Sequence, residues 1–232
     1  MPSPHTLILG IGNILWADEG FGVRAVEHLH RHYEFPSDVK LMDGGTQGLY
    51  LVHHLEGIET LLVFDAVDYG LPPGTLKLVE GEQVPKFMGA KKMSLHQTGF
   101  QEVLATAEML GHYPRNLLLV GVQPVQLEDY GGGLRSLTRQ RIEPAIEAGL
   151  EWLAAHGVQA RRRPQPLPEE ASLAGTEIRP EIYEGQRPPP DVACRIGDER
   201  VLKSPAFELA YRPHPLDPDA RISCDVDHRG KY

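Results

Sequence analysis

Short apolar runs alternate with amphipathic segments along the first two thirds of the chain. The apolar runs predict buried strands at residues 6–10, 39–42, 60–64 and 116–120, and an alternating edge strand at residues 75–80. Apolar residues at helical spacing predict helices at residues 21–33, 48–55, 99–110 and 136–156. This order predicts an α/β fold, a three-layer α/β/α sandwich around a mostly parallel twisted sheet with about five strands.

The composition changes near residue 158. Of the 20 prolines, 9 lie in residues 1–157 and 11 in the remaining 75 residues, whereas the glycines divide 20 to 4. The second part has no sustained apolar period, so it buries too little apolar surface to offset the entropy of ordering the chain. We therefore predict one functional domain at residues 1–157 and a proline-rich, extended or disordered tail at residues 158–232.

Composition and charge exclude several classes of protein. The chain has 23 Lys and Arg against 32 Asp and Glu, a net charge of −9, and no basic stripe, so a nucleic-acid partner is not expected. No apolar run reaches the roughly 20 residues of a membrane-spanning helix, and the first residues lack a secretory signal. The two cysteines, Cys194 and Cys224, are too far apart to suggest a disulfide scaffold. We expect a soluble cytoplasmic protein without membrane insertion and leave its oligomeric state open.

Candidate functional residues follow the predicted strands. In a parallel sheet, ligands bind beyond the carboxyl ends of the strands, where loops from several strands meet. Three such loops carry carboxylates, at residues 13–19, 43–46 and 65–68, and His96 stands just before a predicted helix. We expect these four segments to share one rim of the sheet.

Glu19, Asp65 and His96 form the leading candidate set on this rim. Two carboxylates and an imidazole suit Ni²⁺, Zn²⁺ or a related divalent ion, and three protein ligands would leave positions open for a substrate. Each residue also has a structural interpretation: Glu19 at a helix start, Asp65 in a turn, and His96 in a rim hydrogen bond. The pair Glu19 and Asp65 is alternatively an acid/base dyad that works without a metal.

Two glycine-containing loops have competing interpretations. Gly10 and Gly12 follow the first strand as in a dinucleotide-binding turn, and Asp43 follows the second strand as a ribose-binding acid would. Leu15 stands where that motif needs its third glycine, which favours a tight turn instead. The loop Asp43-Gly44-Gly45-Thr46 suits either a bend that presents backbone N–H groups to a bound peptide or a turn before a helix.

Other residues on the rim are assigned to loops and caps. Asp18 is predicted to cap the helix that follows it by accepting a backbone N–H. Asp68 is predicted to belong to a turn with Tyr69 and Gly70. Residues 129–133 carry three glycines in a row and predict a loop that is able to contact a substrate.

Five stretches, taken in order, form a specific pattern. They are Gly10-Ile11-Gly12-Asn13-Ile14-Leu15-Trp16-Ala17-Asp18-Glu19-Gly20-Phe21-Gly22, Asp43-Gly44-Gly45-Thr46, Phe64-Asp65-Ala66-Val67-Asp68, Ser94-Leu95-His96-Gln97-Thr98-Gly99-Phe100, and Gly121-Val122-Gln123-Pro124 with Glu128. This pattern resembles the endopeptidases that mature nickel–iron hydrogenases, over about residues 5–157. The residues around Trp16 look most like those of the branch that serves membrane-bound uptake hydrogenases.

The resemblance implies a peptidase, a hydrolase of the aspartic or metal-dependent type. Its partner would be the precursor of a nickel–iron hydrogenase large subunit, from which it removes a C-terminal extension after nickel insertion. Residues matching Glu19, Asp65 and His96 bind a metal in that family. Here the ion is expected to be Ni²⁺ supplied by the substrate, although other divalent ions also suit the site.

The resemblance also leads to a mechanistic hypothesis. The catalytic residues expected are Glu19, Asp65 and Asp43, and the substrate-binding residues expected are Gly44, Gly45 and Thr46. Only a nickel-loaded precursor would dock productively, the ion or a nearby carboxylate would activate a water or the scissile carbonyl, and N–H groups of residues 43–46 would steady the developing charge. The alternatives are a nickel-sensing chaperone that binds the precursor without cleaving it, and a nucleotide-binding oxidoreductase.

Overall fold

A five-stranded sheet organises the chain. The structure, a computed structural model, describes residues 5–88, 95–127, 129–173, 178–183 and 185, without the side chains of residues 86–88, 95–98, 169, 180 and 181. The strands are β1 (Thr6–Ile11), β2 (Tyr33–Glu34), β3 (Val39–Gly45), β4 (Thr60–Ala66), β5 (Leu76–Glu80), β6 (Asn116–Val122) and β7 (Arg161–Arg162). The sheet order is β3-β1-β4-β6-β5, and neighbouring strands are parallel except β5, which runs antiparallel to β6.

Helices cover both faces of this sheet. They are α1 (Phe21–His32), α2 (Gln83–Met88), α3 (Leu95–Met109), α4 (Ser136–Arg139), α5 (Ile142–Ala155) and α6 (Pro180–Tyr183), with 3-10 turns at Ala17–Gly20, Gly48–His54 and Glu169–Ala171. Helices α1 and α5 pack on one face, whereas α3 and the turn Gly48–His54 pack on the other. None of the described helices is long and apolar enough to cross a membrane.

Alternating side chains of the central strands build a separate core on each face. On β1, Leu7 and Leu9 join the core that contains Phe100 of α3, whereas Ile8 joins the core that contains Phe21 of α1. The same alternation holds on β4 and β6, because successive side chains of a strand point to opposite faces. The predicted three-layer sandwich with a mostly parallel sheet of five strands is therefore confirmed.

The last predicted helix is interrupted. The sequence pattern predicts one helix over residues 136–156, but the structure has α4, a break at residues 140 and 141, and then α5. Pro144 is the physical reason, because its ring clashes with the carbonyl four residues earlier and it has no N–H to donate. A proline is tolerated in the first turn of a helix, so the helix restarts just before it.

The chain continues to pack on the sheet domain beyond residue 157. Strand β7 pairs antiparallel with β2, Arg163 Nη1 donates to Glu34 Oε1 at 3.0 Å, and Val158 and Leu173 pack against the core of α1 and α5. The described contacts run past the boundary predicted after residue 157, as far as Tyr183, and join residues that composition alone separates. Residues 189–232 lie outside the described residues, and their extended or disordered character stays a prediction.

Candidate active site

Close approach of the chain to itself fixes the loop that follows β1. Gly12 has a φ of +134°, and a Cβ there would stand 2.9 Å from the carbonyl carbon of Glu19 and closer still to its oxygen. A Cβ on Gly22 would similarly overlap the Phe64 carbonyl. Because only glycine permits these approaches, the turn Ala17–Gly20 folds back over the end of β1 and contacts β4. The Glu19 backbone, rather than a phosphate, occupies the space that Gly12 opens.

Glu19 is carried by this turn to the carboxyl edge of the sheet. Its side chain is half-buried, and desolvation raises the pKa of its carboxyl group from 4.5 to about 7. A carboxyl group with a pKa near neutrality exchanges protons readily at physiological pH. A partly desolvated carboxylate is also stabilised by a cation brought close to it. The position therefore suits both roles predicted for Glu19, that of a metal ligand and that of an acid or base.

Asp65 lies on the neighbouring strand β4 and is fully buried. It stands in register with Gly121 of β6, and a Cβ on Gly121 would stand 2.9 Å from Cε2 of Tyr69. Burial is the main cause that raises the pKa of the Tyr69 phenol, and the negative charge of Asp65 adds to it. The missing side chain at Gly121 thus makes room for an aromatic ring that covers the end of β4 near the Asp65 carboxylate.

Gln123 organises the loop between Asp65 and β5. Its buried side chain accepts hydrogen bonds from the N–H groups of Tyr69 (2.8 Å) and Leu71 (3.1 Å) and donates to Asp68 Oδ1 (3.0 Å). The N–H of Gly70 also donates to Asp68 Oδ1 at 2.9 Å, which confirms the turn predicted for Asp68. Sequence reasoning gave Gln123 no role, since its partners lie more than 50 residues earlier in the chain.

Asp43 lies at the end of β3, on the other side of β1. It pairs with Gly10 in the parallel register, and an irregularity then matches Gly45 with Ile11. Burial is the main cause that raises the pKa of the Asp43 carboxyl group, and the negative charge of Glu27 adds to it. The Gly45 N–H and the Arg24 guanidinium act in the opposite direction.

The three residues predicted to bind substrate differ in their surroundings. Gly44 is buried, and a Cβ there would stand 2.7 Å from Leu9 Cδ1, so it packs toward the core. Gly45 has a φ of +46° and directs its N–H at the Asp43 carboxylate. Thr46 is exposed. Thr46 is therefore the residue of this loop with the most open access to a bound peptide.

A cleft of about 280 Å³ opens between the loops that follow β1 and β3. Asp43, Gly45 and Thr46 line one side of it, which brings three of the predicted site residues together. The remaining lining residues are Gly12, Asn13, Ile14, Leu15, Val23 and Ile178. The cleft thus combines a carboxyl group and a hydroxyl group with aliphatic side chains, a lining suited to a peptide.

The predicted metal set of Glu19, Asp65 and His96 is only partly within the described residues. His96 is the second residue of α3, and its side chain lies outside them. Among the side chains that the structure describes, no three His, Cys, Asp or Glu residues gather as a metal site. The three-residue metal site therefore stays a prediction.

Asp18 has a different role from the one predicted. Instead of capping α1, its fully buried carboxylate accepts three backbone N–H groups, from Val125 (2.8 Å), Gln126 (3.0 Å) and Arg135 (2.7 Å). It ties the loop of Glu19 to the chain that follows β6. No local signal predicts this, because the donors come more than 100 residues later in the chain.

An aromatic pair lies on the same pair of loops. The rings of Trp16 and Tyr130 meet edge to face with centroids 5.4 Å apart, and both side chains are exposed. Backbone bonds from Ala17 N to Gly132 O (2.9 Å) and from Gly131 N to Leu15 O (2.8 Å) hold the two loops together. The loop predicted at residues 129–133 is present, joined to the turn that carries Glu19.

Comparisons with known proteins agree with this arrangement. The family model for hydrogenase maturation protease matches residues 23–152. The chain is 62% identical to the hydrogenase expression/formation protein HupD of Thiocapsa roseopersicina, over 87% of this chain and 91% of that protein. It is 54% identical to HoxM of Cupriavidus necator, over 84% and 96% respectively. The solved structure of the hydrogenase maturating endopeptidase HybD from E. coli is 39% identical and covers 68% of this chain and 98% of its own, with a TM-score of 0.66.

Proposed function

This chain belongs to the hydrogenase maturation protease family, and from that premise we propose that its substrate is the nickel-loaded precursor of a nickel–iron hydrogenase large subunit. The family makes it a peptidase. In the proposed reaction it removes a C-terminal extension from the precursor after nickel insertion. The cytoplasmic location remains a prediction from the sequence.

One observation supports this proposal most strongly. Two carboxyl groups withdrawn from water, those of Glu19 and Asp65, lie at the carboxyl edge of the sheet, and Gly12 to Leu15 of the loop that leads to Glu19 line a cleft with a partly aliphatic lining. Burying carboxylates costs free energy unless protons, hydrogen bonds or cations compensate the charge. A divalent ion carried by the substrate fits such a donor set, because oxygen and imidazole ligands suit nickel and zinc.

We assign the nickel to the substrate and its recognition to Glu19, Asp65 and His96. A bound divalent ion would act as a Lewis acid toward a nearby oxygen. The residues of this chain would hold the precursor so that its C-terminal peptide lies in the cleft beside Asp43 and Thr46. Recognition of this kind would prevent cleavage of a precursor that lacks its metal.

The proton transfers are assigned to carboxyl groups rather than to the ion. In the alternative in which Glu19 does not ligate the ion, desolvation raises its pKa to about 7, which lets it take a proton from an attacking water and return it at neutral pH. Asp43, whose pKa is also raised, lies on the cleft where the leaving amine would need a proton. The Thr46 hydroxyl is proposed to donate to the developing oxyanion, since the Gly45 N–H is directed at Asp43.

The first experiment is intact-mass analysis of a large-subunit precursor, with and without nickel, after incubation with this protein. Loss of a C-terminal peptide from the loaded form alone is the expected result. Cleavage of both forms would contradict nickel recognition while keeping the peptidase. Binding without any mass change of the cognate loaded precursor would favour the chaperone alternative.

Variants then test the residue assignments. Asp65→Asn and His96→Ala are expected to abolish cleavage of the loaded precursor, whereas Asp38→Asn, a partly exposed acid before β3, is a matched control that should cleave normally. Wild-type rates for Asp65→Asn or His96→Ala would refute the proposed metal recognition. Glu19→Gln separates the two roles of Glu19, because proton transfer predicts loss of kcat with unchanged binding of loaded precursor, whereas nickel recognition predicts weaker binding of that precursor.

A further inference from the structure

A short segment at residues 178–183 lies on the candidate cleft. Ile178 lines the cleft together with Asp43 and Thr46. The segment continues into α6, and its half-buried end at Tyr183 lies against the loop that follows β1. The cleft is therefore built from the two loops at the end of the sheet, from Val23 of α1 and from this segment.

Two anchors hold this segment in place. The carbonyl oxygen of Ile178 accepts a hydrogen bond from Arg24 Nη2 at 2.8 Å, and Arg24 is itself buried and paired with Glu27 at 2.8 Å. At the other end, the hydroxyl of Tyr183 donates to the carbonyl oxygen of Leu15 at 3.3 Å. A guanidinium fixed by a buried ion pair is a pre-oriented donor, so the bond to Ile178 forms with little further loss of Arg24 side-chain entropy.

The segment lies beyond the part of the chain that the family model covers. That match ends at residue 152, whereas the match to HupD of Thiocapsa roseopersicina covers 201 of the 232 residues and leaves 31 unmatched. The stretch from Ile178 to Tyr232 has 55 residues, which is more than the 31 that are unmatched. The match therefore includes Ile178, wherever along the chain the match begins. The segment is thus shared with a relative of similar length rather than an appendage of this chain alone.

We propose that Ile178 is a specificity-determining residue and that its segment is the third wall of the substrate cleft. This inference rests on the proposed function, since the occupant is the extended C-terminal peptide of the precursor. Ile178, Ile14, Leu15 and Val23 supply aliphatic surface, so the wall selects an apolar side chain of that peptide. The polar lining residues Asp43 and Thr46 are assigned to the peptide backbone.

The test compares two isoleucines of the same segment. Ile178→Ala is expected to raise KM for the loaded precursor about threefold to tenfold with little change in kcat, because it removes contact made equally in the ground and transition states. Ile178→Val should restore most of the affinity. Ile182→Ala is the matched control, since Ile182 is half-buried in α6 and does not line the cleft. Equal thermal unfolding midpoints for all three variants would verify that they fold alike.

The outcomes separate this inference from the proposed function. Equal KM values for Ile178→Ala and Ile182→Ala would refute the proposal that Ile178 contacts the substrate. Faster cleavage by Ile178→Ala would also refute it, because the segment would then obstruct the cleft. If the wild-type protein does not cleave loaded precursor, the proposed function fails instead. Titration of a synthetic peptide with the precursor's C-terminal sequence then still tests the wall, because weaker binding to Ile178→Ala alone supports it and equal binding refutes it.

Discussion

Replacing Asp18 is expected to detach the loop of Glu19 from the chain that follows β6. The Asp18 carboxylate is fully buried and accepts three backbone N–H groups, two on Oδ2 from Val125 and Gln126 and one on Oδ1 from Arg135. Asp18→Ala removes all three acceptors and leaves the donors in a space where a carboxylate stood. Asp18→Asn keeps one oxygen but turns an N–H₂ group toward at least one donor.

The magnitudes follow from the number of bonds lost. A hydrogen bond to a charged acceptor contributes about 1.5–3 kcal/mol to the free energy of unfolding, and an unsatisfied buried donor costs about 1–3 kcal/mol. Entry of water and relaxation of the loops offset part of the sum, so we expect Asp18→Ala to lower the free energy of unfolding by about 4 kcal/mol. Asp18→Asn loses one bond if the amide oxygen keeps Val125 and Gln126, which corresponds to about 2 kcal/mol.

Urea unfolding followed by circular dichroism measures these differences, with Glu56→Gln, an exposed acid, as the control expected to change the free energy of unfolding by less than about 0.5 kcal/mol. Native-state hydrogen exchange gives a local readout, because the amides of Val125, Gln126 and Arg135 should lose protection in both variants. Wild-type stability of Asp18→Asn, or unchanged protection of those three amides, would show that the carboxylate does not carry the connection.

Three further predictions concern the same rim. Because desolvation raises the pKa of Glu19 from 4.5 to about 7, the folded protein holds a proton that the unfolded chain releases, so this contribution to stability is complete below pH 4.5 and is lost as the pH rises through about 7. The Gln side chain of Glu19→Gln is neutral at every pH, so the urea midpoints of the two proteins should be most alike at pH 4.5, and wild type should fall below the variant at pH 6 and further at pH 7.5. A difference that stays constant with pH would contradict the shift. Gly22→Ala places a Cβ 2.7 Å from the Phe64 carbonyl carbon and should lower the free energy of unfolding by about 3 kcal/mol or more. The control is Gly99→Ala in α3, whose Cβ would meet its nearest neighbour at 3.4 Å; it should leave the thermal unfolding midpoint unchanged or raise it. Gln123→Ala frees the loop after β4 and should lower the free energy of unfolding by about 2 kcal/mol in urea while reducing kcat for loaded precursor; a variant that loses stability but keeps kcat would limit Gln123 to a structural role.

The sequence determined the layers of the fold. Leu7, Ile8 and Leu9 alternate between the two cores because a strand turns successive side chains to opposite faces, and this rule is local. The position of the candidate site followed in the same way, since parallel strands bring their carboxyl ends to one edge. The break before α5 was also determined locally, by Pro144, although the apolar period alone runs through it.

Other features were decided only by the tertiary structure. Composition separates the residues after 157 from the domain, yet Val158 and Leu173 reach its core, because burial depends on which surface a segment meets and not on its own period. The glycine at position 12 suggested a nucleotide, and only the path of the chain shows that the Glu19 backbone fills that space.

The same distinction explains the misassigned role of Asp18 and the position of Ile178. Their partners, Arg135 and Arg24, lie 117 and 154 residues away in the chain. A cap or a turn is encoded by neighbours in sequence, and a pattern of residue types is enough to predict it. A bond between distant segments exists only after folding has brought them together, so no spacing in the sequence announces it.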